Sequence, residues 1–148
     1  MKLKLTLTAL TLGLSGLTAQ AQVEIQWWHS MGGALGEWVN DHAKDFNASQ
    51  TQYKVVPTFK GSYDESMTAA IAAFRAGNAP HILQVFEVGT ATMMASKGAI
   101  VPVGKVMADA GVKFEPKNYV QAVAGYYTAP NGQMLSFPFN SSTRLLWS

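Results

Sequence analysis

Tyr53-Lys54-Val55-Val56-Pro57-Thr58-Phe59-Lys60-Gly61-Ser62-Tyr63-Asp64-Glu65 reads as a strand that turns directly into a helix. The β-branched and aromatic residues from Tyr53 to Phe59 suit a pleated, half-buried ribbon. Pro57 has no N–H to give to a ladder, so this strand belongs at a sheet edge or is paired on one side only. Ser62, with Glu65 three residues on, has the form of a capping box. The helix it opens carries Met67, Ala70, Ile71 and Phe74 on one face, and Gly77 followed by Pro80 ends it. A further strand, His81 to Phe86, comes next.

The same alternation extends outward in both directions. Upstream, Val23 to Trp28 reads as a strand, and a helix from about Gly33 places Leu35, Trp38, Val39, His42, Ala43 and Phe46 at helical spacing. Downstream, a Met- and Ala-rich helix from about Val88 to Lys97 stops at Gly98, and Ala99 to Val103 is strand-like. Another helical stretch runs from Pro116 to about Ala124, and Asn131-Gly132 sits between two apolar runs as a hairpin turn, the second run being Met134 to Trp147. No repeat, low-complexity run or linker interrupts the pattern, which predicts an α/β layer fold.

Residues 1–21 are set apart by composition. Lys2 and Lys4 precede an apolar run from Leu5 to Leu17, and Ala19-Gln20-Ala21 is a small-x-small site, the three parts of a secretory leader in order. The run is shorter than the roughly 18 residues needed to span a bilayer, and no later stretch approaches that length. Cleavage after Ala21 is expected, which leaves 22–148 as the mature polypeptide. Losing Lys2 and Lys4 leaves nine basic against nine acidic residues, so the mature chain is near neutral and lacks the basic face that nucleic acid requires. The absence of cysteine excludes disulfides, thiolate nucleophiles and zinc–thiolate sites.

Motifs for catalysis and cofactors fail on spacing. Gly32, Gly33 and Gly36 do not form G-x-G-x-x-G, and the stretch from Gly98 to Gly104-Lys105 is too long for a phosphate-binding loop and lacks its Ser or Thr. His29, His42 and His81 fall in three segments without metal-ligand spacing, and His42, on the apolar helix face, is expected to be packed. Ser141 and Ser142 have neither an elbow motif nor an identifiable base. No catalysis, metal or cofactor is therefore expected.

Ligands of open α/β sheets bind beyond the carboxyl ends of the strands. The three strands end at Trp28-His29-Ser30, at Lys60-Gly61-Ser62-Tyr63 and at Glu87. Tyr63 and Glu87 together would suit a polyol, which takes a flat apolar contact and acceptors for its hydroxyls. On spacing alone, Tyr63 reads equally as a surface aromatic and Glu87 as a charge favouring the N-terminus of the next helix.

The segments Trp28-His29-Ser30-Met31, Pro57-Thr58-Phe59-Lys60-Gly61-Ser62-Tyr63 and Ala72 to Pro80 resemble the periplasmic sn-glycerol-3-phosphate-binding proteins of ATP-driven importers, within extracellular solute-binding protein family 1. So do Glu87 to Ser96 and Pro138-Phe139-Asn140-Ser141-Ser142-Thr143. The resemblance covers the mature chain to about Thr143. It implies a two-lobed protein longer than this chain, which closes on its ligand between the lobes. It also implies that Tyr63, Glu87 and Ser142 contact the ligand, with the phosphate-binding arginine in the second lobe. The sequence ends Arg144-Leu145-Leu146-Trp147-Ser148, where the family continues Ser-Thr-Pro into an apolar strand. The expectation is therefore the first lobe of a periplasmic-binding-protein fold, truncated before the second and not competent by itself.

The implied partners are sn-glycerol 3-phosphate or a related polyol phosphate and the permease subunits of an ABC importer, for a periplasmic protein that is monomeric at full length. A related carbohydrate or glycerophosphodiester binder is the nearest rival. A small secreted hydrolase would need a base paired with a nucleophile, and a stand-alone module would need a C-terminus that pairs or caps. Neither feature is visible in the sequence.

Overall fold

The computed structural model describes residues 21–140 apart from Lys97 and Phe114, and for Glu87, Val88, Ala91, Met94 and Pro116 the backbone only. The expected leader apart from Ala21, Ser142 and the end of the last apolar run lie outside the described residues. The elements are β1 (Val23–His29), α1 (Gly33–Ser49), β2 (Tyr53–Phe59), α2 (Tyr63–Arg75), β3 (Ile82–Leu83), α3 (Glu87–Ala95), α4 (Val103–Asp109), a 3-10 turn (Pro116–Asn118) and α5 (Gln121–Tyr126). The strands form one parallel sheet in the order β2-β1-β3. Register runs from Val23 opposite Tyr53 to His29 opposite Phe59, and Trp27 and Trp28 lie opposite Ile82 and Leu83.

Pro57 lies on an edge strand, as its missing donor requires. Val23 N–H bonds to the Gln52 carbonyl and Lys60 N–H to that of His29, so the even-numbered residues of β2 face β1 and the odd-numbered ones face outward. Side-chain amides complete two of those outward positions. Asn47 bonds both backbone groups of Val55, at 2.7 and 2.8 Å, and Gln50 does the same for Tyr53, at 2.7 and 2.8 Å. Pro57, the next outward residue, has no N–H to satisfy.

Helix α2 is capped at both ends. Ser62 Oγ accepts from Glu65 N–H while Glu65 Oε2 accepts from Ser62 N–H at 2.7 Å, the reciprocal pair of a capping box. These bonds to Ser62 also hold the Glu65 carboxyl below its ordinary pKa. At the other end Gly77 adopts φ +71°, Asn78 N–H reaches the Ala73 carbonyl and Gly77 N–H reaches that of Phe74. That pairing is the Schellman arrangement, which satisfies carbonyls the helix would otherwise leave open.

Four expectations need correction, the first being that the strand read from His81 to Phe86 is only Ile82–Leu83. Residues 99–102 form no strand; the chain enters α4 at Val103, with Pro102 preceding it. Two N–H groups of its first turn, at Val103 and Gly104, bond to the carbonyls of Leu135 and Met134, a long-range anchor that local propensity does not report. The stretch from Pro116 to Ala124 is split into the 3-10 turn and α5. His42 is exposed rather than packed: its ring lies 3.8 Å from that of Trp38, and its Nδ1 is 2.9 Å from the Trp38 carbonyl oxygen. α1 fully buries only the narrow stripe of Val39 and Ala43, and its other large apolar residues, Leu35, Trp38 and Phe46, stay exposed even though Phe139 reaches the Trp38 ring.

The predicted turn at Asn131-Gly132 is present. Gly132 N–H bonds to the Ala129 carbonyl and Ala129 N–H to that of Gln133, around a single antiparallel bridge between Thr128 and Met134. Only Gly132 has positive φ, so this is the Pro-Asn corner followed by a left-handed glycine, not the two-residue turn that needs φ > 0 at Asn131 too.

Candidate functional site

Because all three strands run parallel, their carboxyl ends, and with them the β-to-α junctions, lie at one edge of the sheet. There the exits of β1 (His29-Ser30-Met31), β2 (Lys60 to Tyr63) and β3 (Gln84 to Glu87) meet. Tyr63 is the first residue of α2 and Glu87 the first of α3, and the two helix starts are joined by aromatic stacking. The ring of Tyr63 lies on that of Phe86, with centroids 5.4 Å apart and planes at 29°. Gly89 makes room for this arrangement, since a Cβ there would fall 2.7 Å from Phe86 Cε1 and 3.3 Å from Met67 Sδ. Thr90 Oγ1 donates to the Phe86 carbonyl at 3.1 Å and fixes the same turn. The structure therefore places Tyr63 next to the backbone of Glu87, and Ser142 lies outside the described residues.

Two residues that sequence reasoning did not single out tie this edge together. Gln84 is buried, accepts from Ser30 N–H at 3.0 Å and reaches Asn140 Oδ1 at 3.5 Å. Its signal was a lone amide in the apolar run Ile82-Leu83-Gln84-Val85-Phe86, because a buried amide must find partners. Asn140 also donates to Met31 Sδ at 3.6 Å, while Phe139 meets Trp27 edge-on at 5.7 Å and Trp38 at 5.5 Å. Residues 139–140 are thereby anchored at the exits of β1 and β3.

His29 is a packing residue. It is 3 % exposed, its ring lies about 6 Å from those of Trp27 and Phe59, and its Nδ1 accepts from Met31 N–H at 3.3 Å. Burial pushes its pKa below the ordinary 6.5. The unfolded chain therefore takes up a proton near pH 6.5 that the folded chain refuses. Stability contributed by this histidine is complete above pH 6.5 and is lost as pH falls from there through the lower folded value, with a slope of at most about 1.4 kcal/mol per pH unit. Chemical denaturation at pH 7.5 and 5.5 is expected to show this loss, and His29→Gln is expected to flatten it; an unchanged pH dependence in the variant would assign the loss elsewhere.

Among the described residues no three His, Asp or Glu side chains gather as metal ligands, and no helix is long and apolar enough to cross a membrane. A groove of about 1100 Å³ opens beside β3, lined by apolar side chains that include Phe46, Phe74, Ile82, Leu83, Val101 and Phe139.

Comparison with known proteins places these features in context. The model of the bacterial extracellular solute-binding protein family matches residues 32–148. The sn-glycerol-3-phosphate-binding periplasmic protein UgpB of Escherichia coli O1:K1 / APEC is 54% identical over 147 residues, covering 98% of this chain and 33% of that protein. Those of Brucella suis biovar 1 (strain 1330) and Rhizobium meliloti (strain 1021) are 48% and 50% identical, covering 97% and 87% of this chain and 34% and 30% of theirs. The chain spans about a third of the length of these curated relatives.

Proposed function

Because the chain belongs to the bacterial extracellular solute-binding protein family, we propose that it forms the ligand-capturing first lobe of an ABC importer's periplasmic receptor for sn-glycerol 3-phosphate. In this reading residues 22–148 are the N-terminal α/β lobe, a second lobe closes over the ligand, and the closed form delivers it to membrane permease subunits. The glycerol backbone lies against Tyr63, and the carboxylate of Glu87 and the hydroxyl of Ser142 hydrogen-bond its OH groups. One observation carries the assignment: the Tyr63–Phe86 stack brings an aromatic face beside the first residue of α3 at the ligand-binding edge of the sheet. Identity of about half to proteins named for this ligand supports it.

The test is calorimetric titration, with sn-glycerol 3-phosphate, of a full-length version of the protein in which the second lobe follows this one. Glu87→Ala is expected to weaken binding by about 1.5 to 3 kcal/mol, the usual worth of a hydrogen bond to a charged group, or roughly ten- to a hundred-fold. Unchanged affinity with the fold intact would return Glu87 to the role of a helix-terminal charge. Export completes the proposal. Secreted material is expected to begin at Gln22, and an intact mass that still includes Lys2 and Lys4 would refute both the cleavage and the neutral-chain argument.

A further inference from the structure

Lys60 stands at the exit of β2, three residues before Tyr63, and its Nζ lies 3.9 Å from the centroid of the Trp28 ring. Lys60 is half-buried, and a cation over an indole face is held by the ring's quadrupole. The ion pairs at other lysines, Lys105 with Asp109 and both Lys113 and Lys117 with Glu115, lie elsewhere. Among the described side chains, which do not include that of Glu87, no carboxylate pairs with Lys60 within 4 Å. Within the three strand exits it is the sole Lys or Arg, and the one histidine there, His29, is buried with its pKa depressed. Two carboxylates of the same corner, Asp64 and Glu65, begin α2, and Glu65 is already engaged by Ser62.

We propose that Lys60, fixed on the face of Trp28, is an anion-recognising residue of the site that attracts the phosphate of a phosphorylated polyol. This rests on the ligand reading above and adds to it a source of selectivity for the charged ester over the neutral polyol. A cation fixed in this way loses little conformational freedom when the anion arrives, and its field raises the encounter rate with anions, an effect that salt screens. Indole also accepts a guanidinium, so arginine can stand in for the lysine.

The test compares a full-length version of the protein, second lobe included, with its Lys60→Met variant, which keeps an alkyl stem on Trp28, and its Lys60→Arg variant, after thermal melts show all three folded. Each is titrated with sn-glycerol 3-phosphate, inorganic phosphate and glycerol at low and high salt. Lys60→Met is expected to weaken the ester about tenfold or more at low salt, with a smaller difference at high salt, unchanged glycerol binding, and recovery in Lys60→Arg. Ester binding and salt dependence identical in wild type and Lys60→Met would overturn the role of Lys60 and leave the ligand assignment standing. Inorganic phosphate that binds only when Lys60 is present, with no binding of the ester, would support the lysine and remove the ligand assignment. A wild type that answers neither phosphate probe would overturn both.

Discussion

Expressed by itself, the polypeptide 22–148 is expected to bind sn-glycerol 3-phosphate no better than millimolar, to bind a hydrophobic dye and to self-associate. The affinity argument concerns contacts. A receptor that closes between two lobes buries its ligand, and one lobe offers an open half-site in which water competes for every hydrogen bond. If three or more contacts come from the rest of the protein, at about 1.5 to 3 kcal/mol each, a micromolar site becomes millimolar or worse.

The association argument concerns the core. Among the described residues the buried apolar ones are Met31, Val39, Ala43, Ala70, Ala124, Tyr127 and Met134, a small set rich in alanine, whereas Phe46, Phe74, Ile82, Val101 and Val106 remain exposed beside the groove. A contiguous apolar surface of this kind marks a place where more protein is meant to sit. Dye fluorescence, a melt and sedimentation would check these expectations. A cooperative, dye-silent monomer with micromolar affinity would mean that this stretch holds both a complete core and a complete site.

Gly61→Ala is expected to destabilise the fold by about 2 to 4 kcal/mol, the sum of a left-handed non-glycine residue and the lost hydrogen bond from Ser62 N–H to the Glu65 carboxylate. Gly61 has φ +80°, and a Cβ there would collide with Glu65 Oε2, the atom that closes the capping box. Relief requires Glu65 to swing away, which frees Ser62 N–H and loosens the start of α2. Tyr63 begins that helix, so the damage reaches its stack on Phe86. Urea unfolding measures the first effect and ligand titration the second. A loss below about 0.5 kcal/mol, within the range of ordinary surface substitutions, would show that the corner adjusts without strain.

Much of this was legible locally. The capping box, the glycine that ends α2, the edge position forced by Pro57 and the turn at Asn131-Gly132 are each set by a few adjacent residues, and the structure has them all. What escaped depends on distant partners. α4 is a seven-residue helix with Val103, Gly104 and Val106 in its first four positions, and its first turn is anchored by carbonyls some thirty residues downstream. His42 could not be placed, because helical spacing gives a direction and the covering layer decides burial. Ser66 is fully buried against expectation for a serine near a helix start. At the candidate site, the place of Tyr63 and Glu87 at the strand exits was legible from the alternation, their ligand contacts being what the resemblance implies, whereas the partners of Gln84 and the Lys60–Trp28 pair needed coordinates.

The two borders of the sheet are not equivalent, and this limits how the molecule can be extended. Along β2, three successive outward positions are unable to accept a new strand: amide side chains already occupy Tyr53 and Val55, and Pro57 has nothing to donate. That border cannot template a neighbouring chain, a safeguard for a polypeptide that folds in a crowded compartment. β3 has no such guard among the described residues, and the apolar groove adjoins it. Growth of the sheet therefore has a single direction, past β3, whether the incoming strand belongs to this polypeptide or to a stranger.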